Sequence, residues 1–449
     1  MQNALSKIVT IQKSGKAVGI YSACSANSFV IEAVLKKGLE DNSCVLIEST
    51  ANQCDQFGGY TGMKPVDFRN YVYEIADKLG FDKKKIFLGG DHLGPLTWTA
   101  LNEKEAMANA EVLIDAYVSA GFTKIHVDTS MKVNDDDPNV RLSDETIARR
   151  GVHLVKVAEN AFKKLKETNP DAVEPVYIVG SEVPIPGGSQ AAVDEGVQVT
   201  KVEDFMATMN TFKNTFEKEG ISDVWNRVLG IVVQPGVEEK DSGCTEYDRE
   251  KATELAKAIK TIPDLVFEGH STDYQTKIKL REMIEDGVAI LKVGPGLSFA
   301  AREGLYALSF IEDEVCKING KTPSNFREVL DEEMLKNDSH WKKHYHGTEA
   351  EIALKRKYSF SDRSRYYYAT EAVKKAIATL LDNLKDGCPL NLLSQFMPIQ
   401  YTKVREGSLK NDPKELVLDR VGNTIDEYLY ATHQRELFYN LYFIMENRK

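Results

Sequence analysis

Eight short runs of apolar and β-branched residues, separated by longer amphipathic stretches, shape roughly the first 300 residues of this 449-residue chain. Strands buried on both faces of a parallel sheet have this composition, and apolar positions about 3.6 residues apart in the stretches between them predict helices. The helix predicted after the sixth run covers residues 246–259. The predicted strands are residues 17–22, 44–49, 85–90, 124–128, 176–183, 227–234, 265–270 and 289–294.

Eight strands, each followed by a helix, predict an α/β fold of the (β/α)8 TIM barrel type. An open, doubly wound sheet is the alternative. The chain has no GxGxxG after its first predicted strand and no GxxxxGK[ST], which disfavours dinucleotide and P-loop binding. We therefore expect residues 1–320 to form the barrel. Residues 321–449 lack strand-like runs, and we expect a helical C-terminal extension packed on the barrel.

The charge and the chain start exclude several classes of function. A net charge of −11, from 57 basic and 68 acidic residues, argues against a nucleic-acid surface. No apolar window is long enough for a membrane span, and the first residues lack the apolar core of a secretory signal. We therefore expect a cytoplasmic protein. None of the six cysteines lies in a CxxC or CxxH pair, so a disulfide framework or zinc finger is not expected.

Polar residues collect where the predicted strands end, which is where TIM barrels carry their chemistry. Three of the eight histidines of the chain fall there. Histidines and carboxylates on one rim suit a divalent metal such as Zn²⁺ or Mn²⁺, and such an ion can polarise a carbonyl. A buried layer of mutually paired polar groups is the alternative. The residues are Glu48, Asp91, His92, His126, Asp128, Glu182, Gln234, Glu268, His270, Asp273 and Lys292.

From this set we predict His92, His270 and Glu182 as metal ligands, with Asp128 as a fourth. Asp91, next to a metal-binding histidine, could transfer a proton or orient that histidine. For Glu268, a role beside His270 and a core charge pair are both open. A lysine in a barrel strand can form a Schiff base. For Lys292 we favour an electrostatic role, because a metal would already act as the electron sink.

Glycines after the eighth predicted strand suggest a phosphate site, since their backbone N–H groups would be open near a helix start. The tract of residues 361–365 could add guanidinium contacts, or it could be a surface salt-bridge cluster. The glycine-rich loop of residues 56–62 is predicted to contact substrate or act as a lid, with a structural loop as the alternative. The predicted substrate or phosphate contacts are Lys292, Gly294, Gly296, Ser361, Arg363, Arg365 and Gln234.

Nine motifs, in order, resemble the Z-subunit family of class II D-tagatose-1,6-bisphosphate aldolase. The resemblance runs from about Ser22 to beyond Tyr401. It implies a (β/α)8 barrel with a helical C-terminal part. The motifs are NQxxQFGGYTGM, GGDHLGP, AGFTKIHVDTSM, GSEVPIPGG, VVQPGVE, GHSTDYQT, ILKVGPGLSFA, YSFSDRSRYY and LLSQFMPIQY.

The resemblance implies two kinds of function. Founding members of the family are described as non-catalytic partners that stabilise an aldolase Y subunit. Other members are epimerases that interconvert D-tagatose 6-phosphate and D-fructose 6-phosphate at C4, and some of them act on the free sugars. By similarity to class II aldolases, Asp91 matches a proton-transfer aspartate and His92 a metal-binding histidine. Gln234 stands where the aldolases offer a further histidine, so their metal site is not copied whole.

The chemistry of the ketose favours an enzyme. C4 is β to the C2 carbonyl, so its hydrogen is not acidic, and inversion needs either transient oxidation or cleavage of the C3–C4 bond. No nicotinamide motif is present, whereas candidates exist for a divalent metal, a base and a phosphate anchor. We therefore expect a metal-dependent ketose phosphate 4-epimerase, with Asp91 as base and Asp273 or Glu182 as the second acid or base. The alternative is a non-catalytic Z subunit. A sugar phosphate, an aldolase Y subunit and a second copy of the chain are the candidate partners.

Overall fold

The computed structural model describes residues 1–181 and 197–437, and within them eight parallel strands close into a barrel. This confirms the predicted TIM barrel. A small antiparallel hairpin of β7 (Glu238–Glu239) and β8 (Cys244–Thr245) lies between the sixth and seventh barrel strands. The barrel strands are β1 (Ile20–Cys24), β2 (Val45–Thr50), β3 (Ile86–Leu93), β4 (Lys124–Val127), β5 (Val176–Val179), β6 (Val228–Val233), β9 (Val266–Gly269) and β10 (Val288–Val293).

Helices follow the barrel strands on the outside and continue through the C-terminal part. The helices are α1 (Lys7–Lys13), α2 (Ser28–Glu40), α3 (Pro65–Leu79), α4 (Glu103–Ser119), α5 (Asp144–Thr168), α6 (Val202–Lys218), α7 (Thr253–Thr261), α8 (Lys277–Glu285), α9 (Pro295–Asn319), α10 (Phe326–Lys336), α11 (Glu349–Tyr358), α12 (Glu371–Asn383), α13 (Leu390–Phe396), α14 (Pro398–Arg405) and α15 (Pro413–Thr432).

The helix expected over residues 246–259 begins later than its apolar spacing predicts. Strand β8 ends at Thr245, and the side chain of Asp248 then accepts hydrogen bonds from the backbone N–H groups of Glu250 and Lys251. Aspartate side chains favour such turns, because they offer the backbone an alternative to helical hydrogen bonds. Helix α7 therefore starts only at Thr253.

The lower end of the barrel, at the N-terminal ends of the strands, is filled by aliphatic side chains. Helix α1 closes this end with Ile8 and Ile11, and Leu5 lies just before it. They pack against inward-facing residues such as Ile20 and Ile290. Fully burying one such side chain stabilises the fold by about 1.5–3 kcal/mol. Because the lower half of the barrel is apolar, its polar residues lie at the opposite end.

The C-terminal segment contains helices α10 to α15, and α15 packs against α2, α8 and α9 of the barrel's outer layer. Two of its prolines, Pro398 and Pro413, lie in the first turns of α14 and α15. A proline is favoured there, because its missing N–H would have no helical partner. The domain boundary at residue 320 stays a prediction. Within the described residues, no helix combines the length and apolarity needed to cross a bilayer.

Candidate active site

Strand alternation places polar side chains inside the upper half of the barrel. Lys124 and His126 lie two residues apart on β4, and Glu268 and His270 have the same spacing at the end of β9. Side chains two residues apart in a strand point to the same face. Glycine is needed beside Glu48, because a Cβ at Gly89 would lie only 2.5 Å from Glu48 Cγ. The sequence therefore makes room for charged groups within the barrel.

Two lysines and three carboxylates form a buried ion network in this upper half. Lys124 Nζ lies 2.6 Å from Glu48 Oε1 and 2.6 Å from Glu268 Oε2. Lys292 Nζ lies 3.0 Å from Asp91 Oδ2 and also contacts Glu48. Burial alone would lower the pKa of Lys292, but Asp91 and the other negative charges outweigh it and raise the pKa well above its usual value. A lysine that stays protonated suits an electrostatic role better than a Schiff base.

Three histidine rings meet above this network. The ring centroids of His92, His126 and His270 lie 5.0 to 5.1 Å from one another. Each ring has one nitrogen on a carboxylate, the arrangement that fixes the orientation of metal-binding histidines. The pairs are His92 Nδ1 with Asp128 Oδ2 at 2.7 Å, His126 Nδ1 with Asp91 Oδ1 at 2.8 Å, and His270 Nε2 with Glu268 Oε1 at 3.0 Å.

An irregularity in β3 brings Asp91 and His92 together. The pairing register with β4 shifts between Gly90 and Leu93, and His92 has a φ of 51°. Without the shift, neighbouring side chains would point to opposite faces. Here His92 Nε2 lies 3.8 Å from Asp91 Oδ2. Burial would raise the pKa of Asp91, but Lys292 and His92 outweigh it and hold the pKa well below its usual range.

Positive φ angles at other non-glycine residues also occur around the site. They are found at Ser271 (53°) and Tyr274 (64°), which follow β9, and at Asp362 (39°) in the C-terminal segment. Such backbone conformations cost roughly 1–3 kcal/mol each and tend to occur at functional sites. The surrounding structure therefore holds these residues and His92 in backbone conformations that non-glycine residues rarely adopt on their own.

The described residues contain a group that fits a divalent metal. Asp91, His126, Glu268 and His270 each offer a ligand atom, and these atoms lie within 4.8 Å of one another. Among the described residues, the buried His126 Nε2 has no hydrogen-bond partner. Burial lowers the pKa of His270 to about 4, so its ring is neutral at pH 7, as metal binding requires. Imidazole and carboxylate ligands suit Zn²⁺ and Mn²⁺.

Of the four residues predicted as metal ligands, the structure places only some at the metal-compatible group. His270 belongs to the metal-compatible group, and His92 stands beside it. Asp128 is not part of that group; its Oδ2 meets His92 and its Oδ1 accepts hydrogen bonds from Ser130 N and Oγ at 3.0 and 2.6 Å. Glu182 lies outside the described residues. His126 belongs to the metal-compatible group although it is not among the predicted ligands; its spacing from Asp128 predicts only that the two side chains share a strand face.

Asp273 occupies the place where the sequence predicts a phosphate. Its Oδ1 accepts hydrogen bonds from the backbone N–H groups of Gly294 at 2.9 Å and Gly296 at 2.7 Å. The expectation that these N–H groups are open is therefore wrong for this structure. Burial raises the pKa of Asp273 to about 7, and the nearby Glu239 contributes to the rise.

A cavity opens above the histidines and is lined in part by the C-terminal segment. Arg365 lines it, donating to the backbone oxygen of Asp362 at 2.9 Å and to Tyr366 Oη at 3.0 Å. Tyr60, from the glycine-rich loop, meets Tyr366 edge to face at 4.7 Å. Phe57 in the same loop is 73 % exposed. The loop thus contributes one wall of the cavity through Tyr60.

Lys292 and Gly294 also line this cavity, whereas the remaining predicted substrate contacts, Gly296, Ser361, Arg363 and Gln234, lie outside its lining. Arg363 donates to the backbone oxygen of His340 at 3.0 Å, and Ser361 Oγ bonds Tyr345 Oη at 3.3 Å. Gln234 Oε1 accepts hydrogen bonds from the N–H groups of Gly236 and Val237, which stabilises the turn after β6. In this structure the hydrogen bonds of Arg363, Ser361 and Gln234 stabilise the surrounding protein segments.

Two residues at the site, Lys124 and Glu239, are not among the predicted site residues. Lys124 shares its strand face with His126 and Asp128, so the period of two could have identified it. Glu239 is different, because it reaches the cavity from the short hairpin after β6. No sequence signal marks that hairpin.

The sequence matches a known protein family over nearly its whole length. Residues 5–433 match the family described as D-tagatose-1,6-bisphosphate aldolase subunit GatZ/KbaZ-like. The crystal structure of a probable tagatose 6 phosphate kinase from Sinorhizobium meliloti 1021 is 41 % identical, with a TM-score of 0.83. That match covers 92 % of this chain and all of the other.

More distant structures include a fructose-bisphosphate aldolase from Campylobacter jejuni. It is 13 % identical with a TM-score of 0.43, covering 86 % of this chain and 93 % of the other. The YdjI aldolase from Escherichia coli K12 is 12 % identical with a TM-score of 0.38, covering 84 % and 98 %. At these values, neither likeness adds to the description of the site.

Proposed function

The chain belongs to the GatZ/KbaZ-like family of D-tagatose-1,6-bisphosphate aldolase subunits, and from this premise we propose that it is a metal-dependent ketose 4-epimerase. Its substrates would be D-tagatose 6-phosphate and D-fructose 6-phosphate, and it could also act on the free sugars. The observation that carries this proposal is the convergence of His92, His126 and His270, each held by a carboxylate, at the upper end of the barrel.

The buried charges favour catalysis over a purely structural role. Taking an ion out of water costs several kcal/mol, and apolar residues of similar volume often stabilise a core as well or better. This barrel nevertheless buries Lys124 and Lys292 among Glu48, Asp91 and Glu268. A protein that only supported a partner subunit would gain little from such a network.

The proposed reaction breaks and re-forms the C3–C4 bond of the ketose. Asp91 accepts the proton of the C4 hydroxyl, and the C3–C4 electron pair moves toward the C2 carbonyl. This leaves a three-carbon enediolate and an aldehyde. The aldehyde turns, the bond re-forms on its other face, and Asp91 returns the proton to the C4 oxygen. No atom is lost and no oxidant is needed.

Other residues would support this chemistry. His126, His270 and Glu268 would hold a divalent metal, which would polarise the carbonyl and stabilise its developing negative charge. The protonated Lys292 keeps Asp91 ionised and adds positive charge beside it. Asp273 would act as the second acid or base, since a pKa near pH 7 suits proton transfer in both directions. Glu182 stays a sequence prediction for the same role.

The second candidate is a non-catalytic subunit that stabilises an aldolase Y subunit. The family description as an aldolase subunit favours it. The kinase name of the similar Sinorhizobium protein is not carried over, since the chain has no GxxxxGK[ST] sequence to hold a nucleotide phosphate.

An assay of the chain alone tests the proposal. We expect purified protein with Mn²⁺ or Zn²⁺ to convert fructose 6-phosphate into tagatose 6-phosphate, and a chelator to stop the conversion. Absence of conversion by the chain alone, together with stimulation of an added aldolase subunit, would instead support the second candidate.

A further inference from the structure

The rim between β9 and β10 carries carboxyl groups at a position suited to an anion. Helix α9 begins here, and the N–H groups of Gly294 and Gly296 converge at its N-terminus. Two convergent N–H groups at a helix start commonly bind phosphate in barrel enzymes. In this chain the Asp273 carboxyl group accepts both hydrogen bonds, so the protein itself fills the position.

The fit around Asp273 is close. A Cβ at Gly296 would lie 3.1 Å from Asp273 Oδ1 and 3.5 Å from its Cβ. Asp273 is almost completely buried. A phosphate could reach the two N–H groups only if this carboxylate moved away. The position is therefore filled by the fold itself.

A second acid stands in the same wall. Glu239, on the hairpin strand β7, is 4 % exposed and lines the cavity together with Asp273. Among the residues that the structure describes, its Oε2 has no hydrogen-bond partner. An unpartnered carboxyl oxygen at a cavity wall can accept a hydrogen bond from a ligand hydroxyl. Once ionised, it would repel a phosphate dianion, because like charges brought together cost several kcal/mol.

Positive charge lies on another side of the same cavity. Arg365 lines it and also lines an adjoining cavity, which Lys374 borders. Guanidinium groups bind phosphate through charge-assisted hydrogen bonds. The combined space therefore has an acidic wall at Asp273 and Glu239 and a basic side at Arg365.

We propose that Asp273 and Glu239 select the neutral hydroxymethyl end of a ketose and exclude a phosphate from that end. The protein then takes ketoses with no phosphate, or with one phosphate at the end that meets Arg365, and rejects ketose 1,6-bisphosphates. This inference rests on the proposed function in one respect, namely that the cavity binds a ketose.

Calorimetric titration of the full chain with fructose 6-phosphate and with fructose 1,6-bisphosphate at pH 8, above the pKa of about 7 that burial gives Asp273, tests the inference. We expect the wild type to bind the bisphosphate at least about 30-fold more weakly than the monophosphate. Asp273→Asn, alone and combined with Glu239→Gln, should improve bisphosphate binding about 10-fold or more relative to monophosphate binding. Equal binding of both sugars by the wild type would overturn the inference, as would an unchanged ratio in the variants.

A matched control is Glu246→Gln, which removes an exposed carboxylate just after the same hairpin and should leave the ratio unchanged. Asp273→Asn serves as the independent variant if Glu239→Gln does not fold. Calorimetry reports binding whether or not the sugar is then converted, so the two hypotheses separate. Preferential binding of fructose 6-phosphate without conversion would refute the epimerase proposal but would still support selection by Asp273 and Glu239. Tight binding of the bisphosphate, or no binding of either ketose, would refute selection by Asp273 and Glu239, whether or not the protein is an epimerase.

Discussion

Lys124 Nζ lies 2.6 Å from Glu268 Oε2, and neither side chain reaches solvent. The same ammonium contacts Glu48 at 2.6 Å, so one lysine balances two buried carboxylates. Glu268 in turn holds the ring of His270. The ion pair therefore connects the packed lower half of the barrel to the histidines above it.

Replacing Lys124 should strongly destabilise the fold. Lys124→Met leaves Glu48 and Glu268 without this buried partner, and breaking a buried pair typically costs about 3–5 kcal/mol. Urea denaturation measures the change in the free energy of unfolding. The control is Lys83→Met, whose exposed ion pair with Asp77 should contribute less than about 1 kcal/mol. If both variants lost the same free energy of unfolding, Lys124 would contribute no more to stability than the exposed Lys83.

Metal content should depend on the histidines inside the barrel. We expect His126→Ala and His270→Ala to lose most of the Zn²⁺ or Mn²⁺ that the wild type retains, since each removes one ligand atom of the group. Elemental analysis of protein purified after metal loading measures this. His153→Ala, which changes an exposed histidine on α5, should keep the wild-type content. Full metal retention by His270→Ala would remove that residue from the ligand set.

Asp273 should make the protein less stable as the pH rises. Its pKa is raised to about 7 by burial and by Glu239, above the usual value of 3.8. The folded state then holds a proton that the unfolded state releases, so stability is fully present below about pH 4 and falls as the pH rises to about 7. Each unit of pKa difference corresponds to about 1.4 kcal/mol.

The variant Asp273→Asn should remove this part of the pH dependence. Chemical denaturation at pH 5, 6, 7 and 8 compares the two proteins, and the stability difference between them should change in favour of the variant as the pH rises. A difference that stays constant over this range would mean that Asp273 titrates normally.

Arg365 should bind the phosphate of the substrate. Removing a hydrogen bond to a charged group typically costs about 1.5–3 kcal/mol, so Arg365→Ala should raise KM for fructose 6-phosphate about 10-fold or more. KM for free fructose should change much less. Steady-state kinetics with both sugars measures this, and Arg405→Ala, on the exposed end of α14, is the control. An equal rise of KM for both sugars would argue against a phosphate contact.

The sequence predicts the barrel well, because each strand is a local pattern that the parallel sheet requires. Alternation along β4 correctly places His126 and Asp128 on one face, and it could have revealed Lys124 too. The convergence of Asp91 with His92 requires a turn that the residues alone only suggest. Its cause, a register shift in β3 with a positive φ at His92, is visible in the structure.

The acidic wall could not be predicted in the same way. Gly294 and Gly296 resemble a phosphate site in sequence, and only the three-dimensional path of the loop after β9 shows that Asp273 fills it. Glu239 arrives from a two-residue strand with no pattern of its own. Loop conformation and contacts between distant segments decide these positions, and local residue preferences do not encode them.

The most direct test of the epimerase proposal follows a deuterium label at C4 of fructose 6-phosphate. Purified chain with Mn²⁺ is incubated with the labelled sugar, and the products are followed by nuclear magnetic resonance. Cleavage and re-formation of the C3–C4 bond leave the C4 hydrogen on the aldehyde carbon, so we expect tagatose 6-phosphate that keeps its deuterium. Formation of no tagatose 6-phosphate, or of product with solvent hydrogen at C4, would contradict the account.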